Sequence, residues 1–471
     1  MSTTTAHWKL DGSWAGARLV PITAKRFLPP AKPSRWSAEE LAKMNAPIDE
    51  GNRFLALARS GRNLFLTGMA GTGKTWTLKR FIADSLKRVD VTAPTGVAAL
   101  NVGGMTIHRF CGMRLGPKSV QTDAEFYREL KDERHPAILA GFRRVRRCEV
   151  LVIDEVSMLP GRVLNFVDYL FRLERGCDEP FGGCQVIATG DFLQLPPVRT
   201  SDKAPHDWAF QSGAWERAAF GTILLEEVKR QDEPEFVRAL SNFRRGRVWG
   251  EDARLLQSRI RSFPPASLTR LFTHNVQVDK WNNFQLSELP GEPVVFEAKT
   301  QGPEHQVEFL RKNLLTPSRL VLKPGALVMF TINRNEPGSV ESGEYRPGPV
   351  LHVNGELGVV QQINPGAEWI EVRSRSGRVV LVTPFTWEFD RNDPNCGTLT
   401  QYPLRLAYAM TIHKAQGLTL DAAYLDIRAA REPGQAYVAV SRVRTLAGLH
   451  FKDWFKGGWV SDEAIRFYEN N

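Results

Sequence analysis

The sequence predicts an α/β protein with two parallel-sheet lobes, on three observations. Short apolar runs alternate with helix-like stretches between residues 60 and 230. Those runs, NLFLTG, VDVTAPT, EVLVIDE, CQVIATGD and TILLEE, each end in a polar or glycine turn. A second set, LTRLFTHN, LRLAYAMTIH and AAYLDI, follows after a long interruption. Continuous apolar runs suit strands buried on both faces. Strands alternating with helices build a doubly wound sheet that binds ligands at its strand C-termini.

Residues 1–45 read as an extension ahead of the first lobe. PPAKPSRW (29–36) is extended, because proline pushes its neighbours out of the helical region. SAEELAKM (37–44) is a capped helix start, with Ser37 as cap and Glu40 reaching back. The first lobe takes residues 46–220 and the second 221–455, followed by a tail at 456–471. Residues 310–392 interrupt the second lobe with KPGALVMFTINRN, VNGELGVVQQI and WIEVRSRSGRVVLVTPF. These alternate and turn often, which predicts short antiparallel strands and a small inserted β-barrel.

Net charge is +10. Excess Lys and Arg either solubilises the chain or meets a polyanion whose counterions it releases. Arg143-Arg144-Val145-Arg146-Arg147 and Arg244-Arg245-Gly246-Arg247 concentrate that charge. The 5 cysteines are scattered, which argues against a disulfide framework and for reduced thiols. No run reaches the ~18 apolar residues of a membrane span, and MSTTTAHWKLDGSW lacks the apolar core of a signal peptide.

GMAGTGKT (68–75) satisfies the phosphate-loop pattern between a strand-like and a helix-like segment. Gly68, Gly71, Thr72 and Gly73 let backbone N–H groups wrap phosphates at a helix N-terminus. Lys74 would neutralise the β- and γ-phosphates, and Thr75 would ligate Mg²⁺. In LVIDEVSM (151–158) an apolar run leads to Asp154, for the Mg²⁺ shell, and Glu155, to deprotonate the attacking water. The two motifs together predict a nucleoside triphosphate hydrolase.

Further segments narrow the class. PFGGCQVIATGDFLQLPPV (180–198) resembles the third motif of superfamily 1B DNA helicases, the petite integration frequency (PIF) and RecD-like group. APTGVAALNVGGMTIHRF (93–110), WAFQSGAWERAAFGTILLEEVKRQ (208–231), TIHKAQGLTL (411–420) and QAYVAVSRVRT (435–445) resemble that group's DNA-contacting, fourth, fifth and sixth motifs, in order. MLPGRVLNFVDYLFRLER (158–175) keeps Asp168, Arg172 and Arg175 of the PIF-branch pattern but not its other acidic positions. It reads equally as an amphipathic helix with a basic face. Gln416-Gly417-Leu418-Thr419 and the Gln-Leu-Pro-Pro at 194–197 differ from the UvrD/Rep branch.

The resemblance implies two RecA-like lobes, a small wedge insertion at about 110–147 and an SH3-like barrel in the second lobe. It implies an ATP-dependent DNA helicase moving 5′ to 3′ on single-stranded DNA, or a DNA-dependent ATPase switch or loader. Gln194 would sense the γ-phosphate, or merely cap Pro-Pro. Arg230 and Arg442 would enter the cleft as arginine fingers. Gln416 and Gly417 would turn toward the γ-phosphate. DNA would meet Thr95, Thr106, His108, Thr273, Asn275, Thr411, His413 and Lys414. Phe192 would stack on a base or lie in the core.

ATP and Mg²⁺ are the implied cofactors, and single-stranded, tailed or forked DNA the implied partner of a monomer. The compartment would be the cytoplasm of a prokaryote or a phage-infected cell, or a eukaryotic nucleus or mitochondrion. One departure stands out. The group's adenine-reading Gln has no counterpart in PIDEGNRFLALARSG (47–61), where Asn52 is nearest.

Overall fold

The computed structural model describes residues 49–470, apart from 114–115, 118–120, 134, 200, 202–203, 263–267, 336–338, 342–343, 347–349, 376, 390–394 and 455–459. The N-terminal extension, with its expected linker and capped helix, lies outside the described residues.

The first lobe is a parallel sheet of six strands: β1 (Leu64–Gly68), β2 (Val89–Ala93), β3 (Met105–Thr106), β4 (Val150–Ile153), β5 (Gln185–Gly190) and β6 (Gly221–Leu225), in the spatial order β3-β2-β4-β5-β1-β6. Helices cover both faces, and strand alternation divides the core between them. Phe65, Leu151, Ile153, Val186 and Ala188 join one buried cluster. Their neighbours Leu64, Leu66, Val150, Val152 and Ile187 join the other. A period of two with both faces apolar is why these strands read as unbroken hydrophobic runs. TILLEE supplies β6, which pairs with β1, so this sheet continues past the boundary expected at residue 220.

The second lobe holds a parallel sheet of four strands, ordered Ala409–Thr411, Thr269–Phe272, Ala423–Leu425 and Leu449–Phe451. The run LRLAYAMTIH, expected as one strand, divides. Leu404–Leu406 pairs with Leu327–Phe330 in a five-stranded antiparallel sheet, whereas Ala409–Thr411 joins the lobe. The joint is fixed by Ala407 N–H donating to Leu327 O at 3.0 Å and Leu327 N–H donating to the Tyr408 hydroxyl at 3.0 Å. This antiparallel sheet stands where the barrel insertion was expected, and it extends past the expected end at residue 392. Its other strands are Leu357–Asn364, Trp369–Ser374 and Val379–Val382, and it packs its own cluster around Val328, Phe330, Val360, Val372 and Leu404.

Two expectations change. The expected wedge contains two helices, Asp123–Glu133 and Pro136–Arg147, whose Phe126, Leu130, Ile138 and Phe142 are buried in the first lobe's core. The C-terminal segment is no loose tail. Its helix Asp462–Asn470 returns to the first lobe, where Phe467 packs among Phe65, Phe192, Phe210 and Trp215. Among the described residues no helix is long and apolar enough to cross a membrane.

Candidate active site and DNA-facing edge

A cavity of about 580 Å³ opens where β1 ends, between the phosphate loop and the second lobe. Gly73 takes a left-handed conformation and starts the helix Lys74–Asp84 with no side-chain cap. The first-turn N–H groups are left for an anion. Gly71, also left-handed at φ 86°, is needed for a second reason: a Cβ there would stand 2.6 Å from the Cβ of Arg230. The second-lobe side thus presses directly on the loop. Lys229 N–H donates to Gly71 O at 2.8 Å, and Ala70 N–H donates to the Tyr437 hydroxyl at 3.0 Å. Lys74 Nζ folds back onto the loop, donating to Gly68 O and Met69 O at 2.9 Å each. Burial lowers the Lys74 pKa, against the pull of Asp191 and Glu155.

Asp154 and Glu155 end β4. Asp154 is buried and accepts from the Thr189 hydroxyl and, at 3.0 Å, from Glu155 N–H. Burial holds its pKa above the usual carboxylate range. Glu155 has φ 52°, a left-handed conformation that a non-glycine residue adopts at a cost and that recurs at functional sites. Its Oε2 is buried without a hydrogen-bond partner among the described residues. Burial and the neighbouring Asp154 push its pKa up to about 7, near the value that suits a general base. Thr75 and Asp154 offer the oxygen ligands that a Mg²⁺ retaining most of its waters needs. The donor set therefore fits that cation.

Arg442 and Arg230 enter from the other side. Arg442 is 2% exposed; its Nε donates to Val438 O and Arg230 Nη1 donates to Ser441 O, both at 2.9 Å. Both line the cavity, and each donates to a backbone carbonyl. Burial and mutual repulsion lower the Arg230 pKa to about 9. Burying unpaired guanidinium groups is costly, and an anionic guest offsets that cost. Gln194 lines the cavity too, with its amide donating to Asp191 Oδ2 at 3.3 Å.

Asp191 is a node that the sequence reading passed over. It is fully buried and takes Arg244 Nε at 3.0 Å and Nη2 at 2.7 Å. Tyr468 of the C-terminal helix reaches Asp191 Oδ1 at 3.3 Å, Thr67 Oγ1 at 2.7 Å and Phe192 N–H at 3.1 Å. Arg244 is therefore a buried strut between lobes, not part of a basic surface. Arg144 likewise donates to Arg109 O and Phe110 O, capping a helix. Asp168 is a second internal node: Arg172, Arg217 and Phe181 N–H all donate to it, so the Gly161–Arg175 helix turns this part of its pattern inward.

A family model described as PIF1-like helicase matches residues 54–248. The ATP-dependent DNA helicase Pif1 of Bdellovibrio bacteriovorus is 37% identical over 419 residues, which cover 88% of this chain and 90% of that one. The chain belongs to the Pif1 helicase family. The human ATP-dependent DNA helicase PIF1 is 34% identical, over 92% of this chain and 63% of its own length. Among solved structures, Bacteroides Pif1 with ADP-AlF4 is 30% identical with a TM-score of 0.74, covering 89% of this chain and 96% of that one. Bacteroides Pif1 bound to ssDNA covers the same shares at 31% identity, with a TM-score of 0.59. At nearly equal identity and coverage, the whole chain superposes better on the first.

Of the residues expected at DNA in this Pif1 family member, Thr95, Thr106, Thr273 and Thr411 stand at or just after strand C-termini. Three of the threonines share one local device. Thr95, Thr106 and Thr411 are N-caps, their hydroxyl oxygens accepting from Ala98, Arg109 and Lys414 N–H at 3.2, 3.3 and 3.3 Å. Thr95 is half-buried, whereas Thr106 and Thr411 are buried, so all three hydroxyls fix the start of a short helix. Thr273 bonds His274 Nδ1 at 2.7 Å, and Asn275 is exposed. His413 is exposed, and Lys414 is half-buried, its pKa lowered by burial and by Arg405. His108 is half-buried, and burial and Arg162 lower its pKa.

Two expected residues are corrected. Phe192 is 1% exposed and makes edge contacts with Trp208, Phe210, Trp215 and Phe467, so it is core and unavailable to a base. Gln416 does not line the cavity; Gly417 and Thr419 do, and Gln416 is 9% exposed, its Nε2 without a partner among the described residues. Gly68 and Thr72 shape the loop from beneath, Thr72 Oγ1 donating to Met69 O at 3.0 Å. Trp76, Arg444 and Tyr437 were missed. Tyr437 and Arg444 stand inside a quoted motif, and Trp76 directly follows one.

Proposed function

We propose that this chain is an ATP-dependent DNA helicase that steps 5′ to 3′ along single-stranded DNA and opens duplex ahead of it. One observation carries the reading. A single stretch, TIHKAQGLTL, carries the expected DNA contacts Thr411, His413 and Lys414 within a few residues of Gly417 and Thr419, which line the cavity. DNA grip and nucleotide cleft therefore share one short rigid element.

In the proposed cycle Lys74 leaves its loop carbonyls to meet the β- and γ-phosphates. Glu155 takes a proton from the water that attacks the γ-phosphorus, and the bond to ADP breaks. Arg230 and Arg442 stabilise the charge that spreads over the departing phosphoryl oxygens. Bound Mg²⁺, held by Thr75 and Asp154, would supply further charge neutralisation. Both arginines belong to the far side of the cleft, so phosphate charge draws the lobes together and its loss lets them part. Alternate grips by the threonine-capped strand ends then advance one chain along the DNA.

Forks with a 5′ or a 3′ single-stranded tail test this. The proposal expects ATP-driven opening of the 5′-tailed fork alone. Opening of the 3′-tailed fork would reverse the polarity, and DNA-stimulated ATP turnover with neither fork opened would replace the helicase by a switch or loader.

A further inference from the structure

We propose that this chain holds the nucleobase by stacking it on Trp76, without reading its edge, and so discriminates weakly among nucleoside triphosphates. The inference rests on the nucleotide reading of the cavity and adds the base subsite to it.

Trp76 lies in the first turn of the helix that starts at Lys74, directly after Thr75. It is 63% exposed and lines the cavity mouth, with Asp232 and Arg444 lining it from the chain beyond the first sheet. An indole so exposed contributes little to the core. Amphipathic aromatic rings in such positions serve as contact surfaces. Its orientation is held from behind: the Arg80 guanidinium, one turn on, stacks over the ring at 4.8 Å.

Arg80 in turn donates to Asn52 Oδ1 at 3.5 Å, and Asn52 Nδ2 donates to Asp49 Oδ2 at 2.8 Å. Asn52 is the one carboxamide in the stretch where an adenine-reading Gln would stand. Both ends of its amide are engaged, toward Asp49 and toward Arg80. Asn52 is thereby a support for the Arg80–Trp76 stack, its amide already turned toward Asp49 and Arg80.

The two modes differ in specificity. A site that hydrogen-bonds a base edge rejects the wrong base strongly, because its own polar groups are left unpaired. A stack accepts any base, since every base offers a π-face, and favours purines only through their larger area.

The experiment measures DNA-stimulated hydrolysis of ATP, GTP, CTP and UTP by the full chain and by Trp76→Ala and Trp76→Phe. The expected kcat/KM spread across the four is about tenfold, purines leading. Trp76→Ala raises KM for all four about tenfold or more, far beyond any change in kcat, while Trp76→Phe restores most of the loss. An unchanged melting temperature is expected for both, as the side chain is largely exposed. Turnover of ATP more than about a hundredfold above GTP, or an unchanged KM in Trp76→Ala, overturns the proposal. Turnover of none of the four by the parent chain would instead bring down the nucleotide reading beneath it.

Discussion

Replacing Glu155 by Gln should stabilise the nucleotide-free protein, and only above a defined pH. Burial, then Asp154, raise the Glu155 pKa from 4.5 to about 7. A carboxylate whose folded pKa exceeds its unfolded one binds more protons in the folded state over that interval. Its contribution to stability is full below pH 4.5 and is lost as pH rises through about 7. Each tenfold change in proton affinity is worth about 1.4 kcal/mol, so charging Glu155 in place costs roughly 3 kcal/mol. Gln keeps the size and the left-handed backbone problem but carries no charge. The stability offset between Glu155→Gln and the parent should therefore be constant at low pH and grow by roughly 3 kcal/mol on the way to pH 8. Urea unfolding at pH 4.5, 6, 7 and 8, with denaturant slopes compared, reads this directly. The same substitution should lower kcat by about 10²–10⁴, the usual worth of a general base. An offset that does not change with pH would refute the buried, proton-holding carboxylate.

Phe192→Ala should cost about 3–5 kcal/mol by opening a void in the aromatic cluster, while the folded protein binds single-stranded DNA as the parent does; a stable variant with weakened DNA binding would return Phe192 to the DNA surface. Arg244→Ala leaves the fully buried Asp191 without its two guanidinium bonds. It should destabilise by about 3–5 kcal/mol, and an unchanged urea midpoint would show that Tyr468, Leu193 N–H and Gln194 suffice.

The parallel strands were legible because strands buried on both faces are continuous apolar runs, and the phosphate loop because its spacing is dictated by the phosphates. The division of LRLAYAMTIH was not. Both halves are apolar, and the partners, Val328 opposite Leu406 and Arg270 opposite Ala409, decide which sheet receives each. Arg244 read as surface charge because its carboxylate, Asp191, is 53 positions away. Phe467 and Tyr468 read as a tail for the same reason: Thr67 is 401 positions from Tyr468. Gln416 and Gly417 were placed together, but successive residues after a helix face different ways, and Thr419 takes the position at the cavity. Trp76 was invisible because nothing in a local pattern distinguishes a core indole from an exposed one.

In the proposed mechanism TIHKAQGLTL joins a DNA grip to the nucleotide cleft, and His413 tests that joint most directly. His413 is exposed, and it is not among the residues lining the cavity. The decisive quantity is ATP turnover by His413→Ala with and without saturating single-stranded DNA. The account predicts that basal turnover stays near the parent value while the DNA-stimulated increment is largely lost. Equal losses in both, or full stimulation retained, would contradict it.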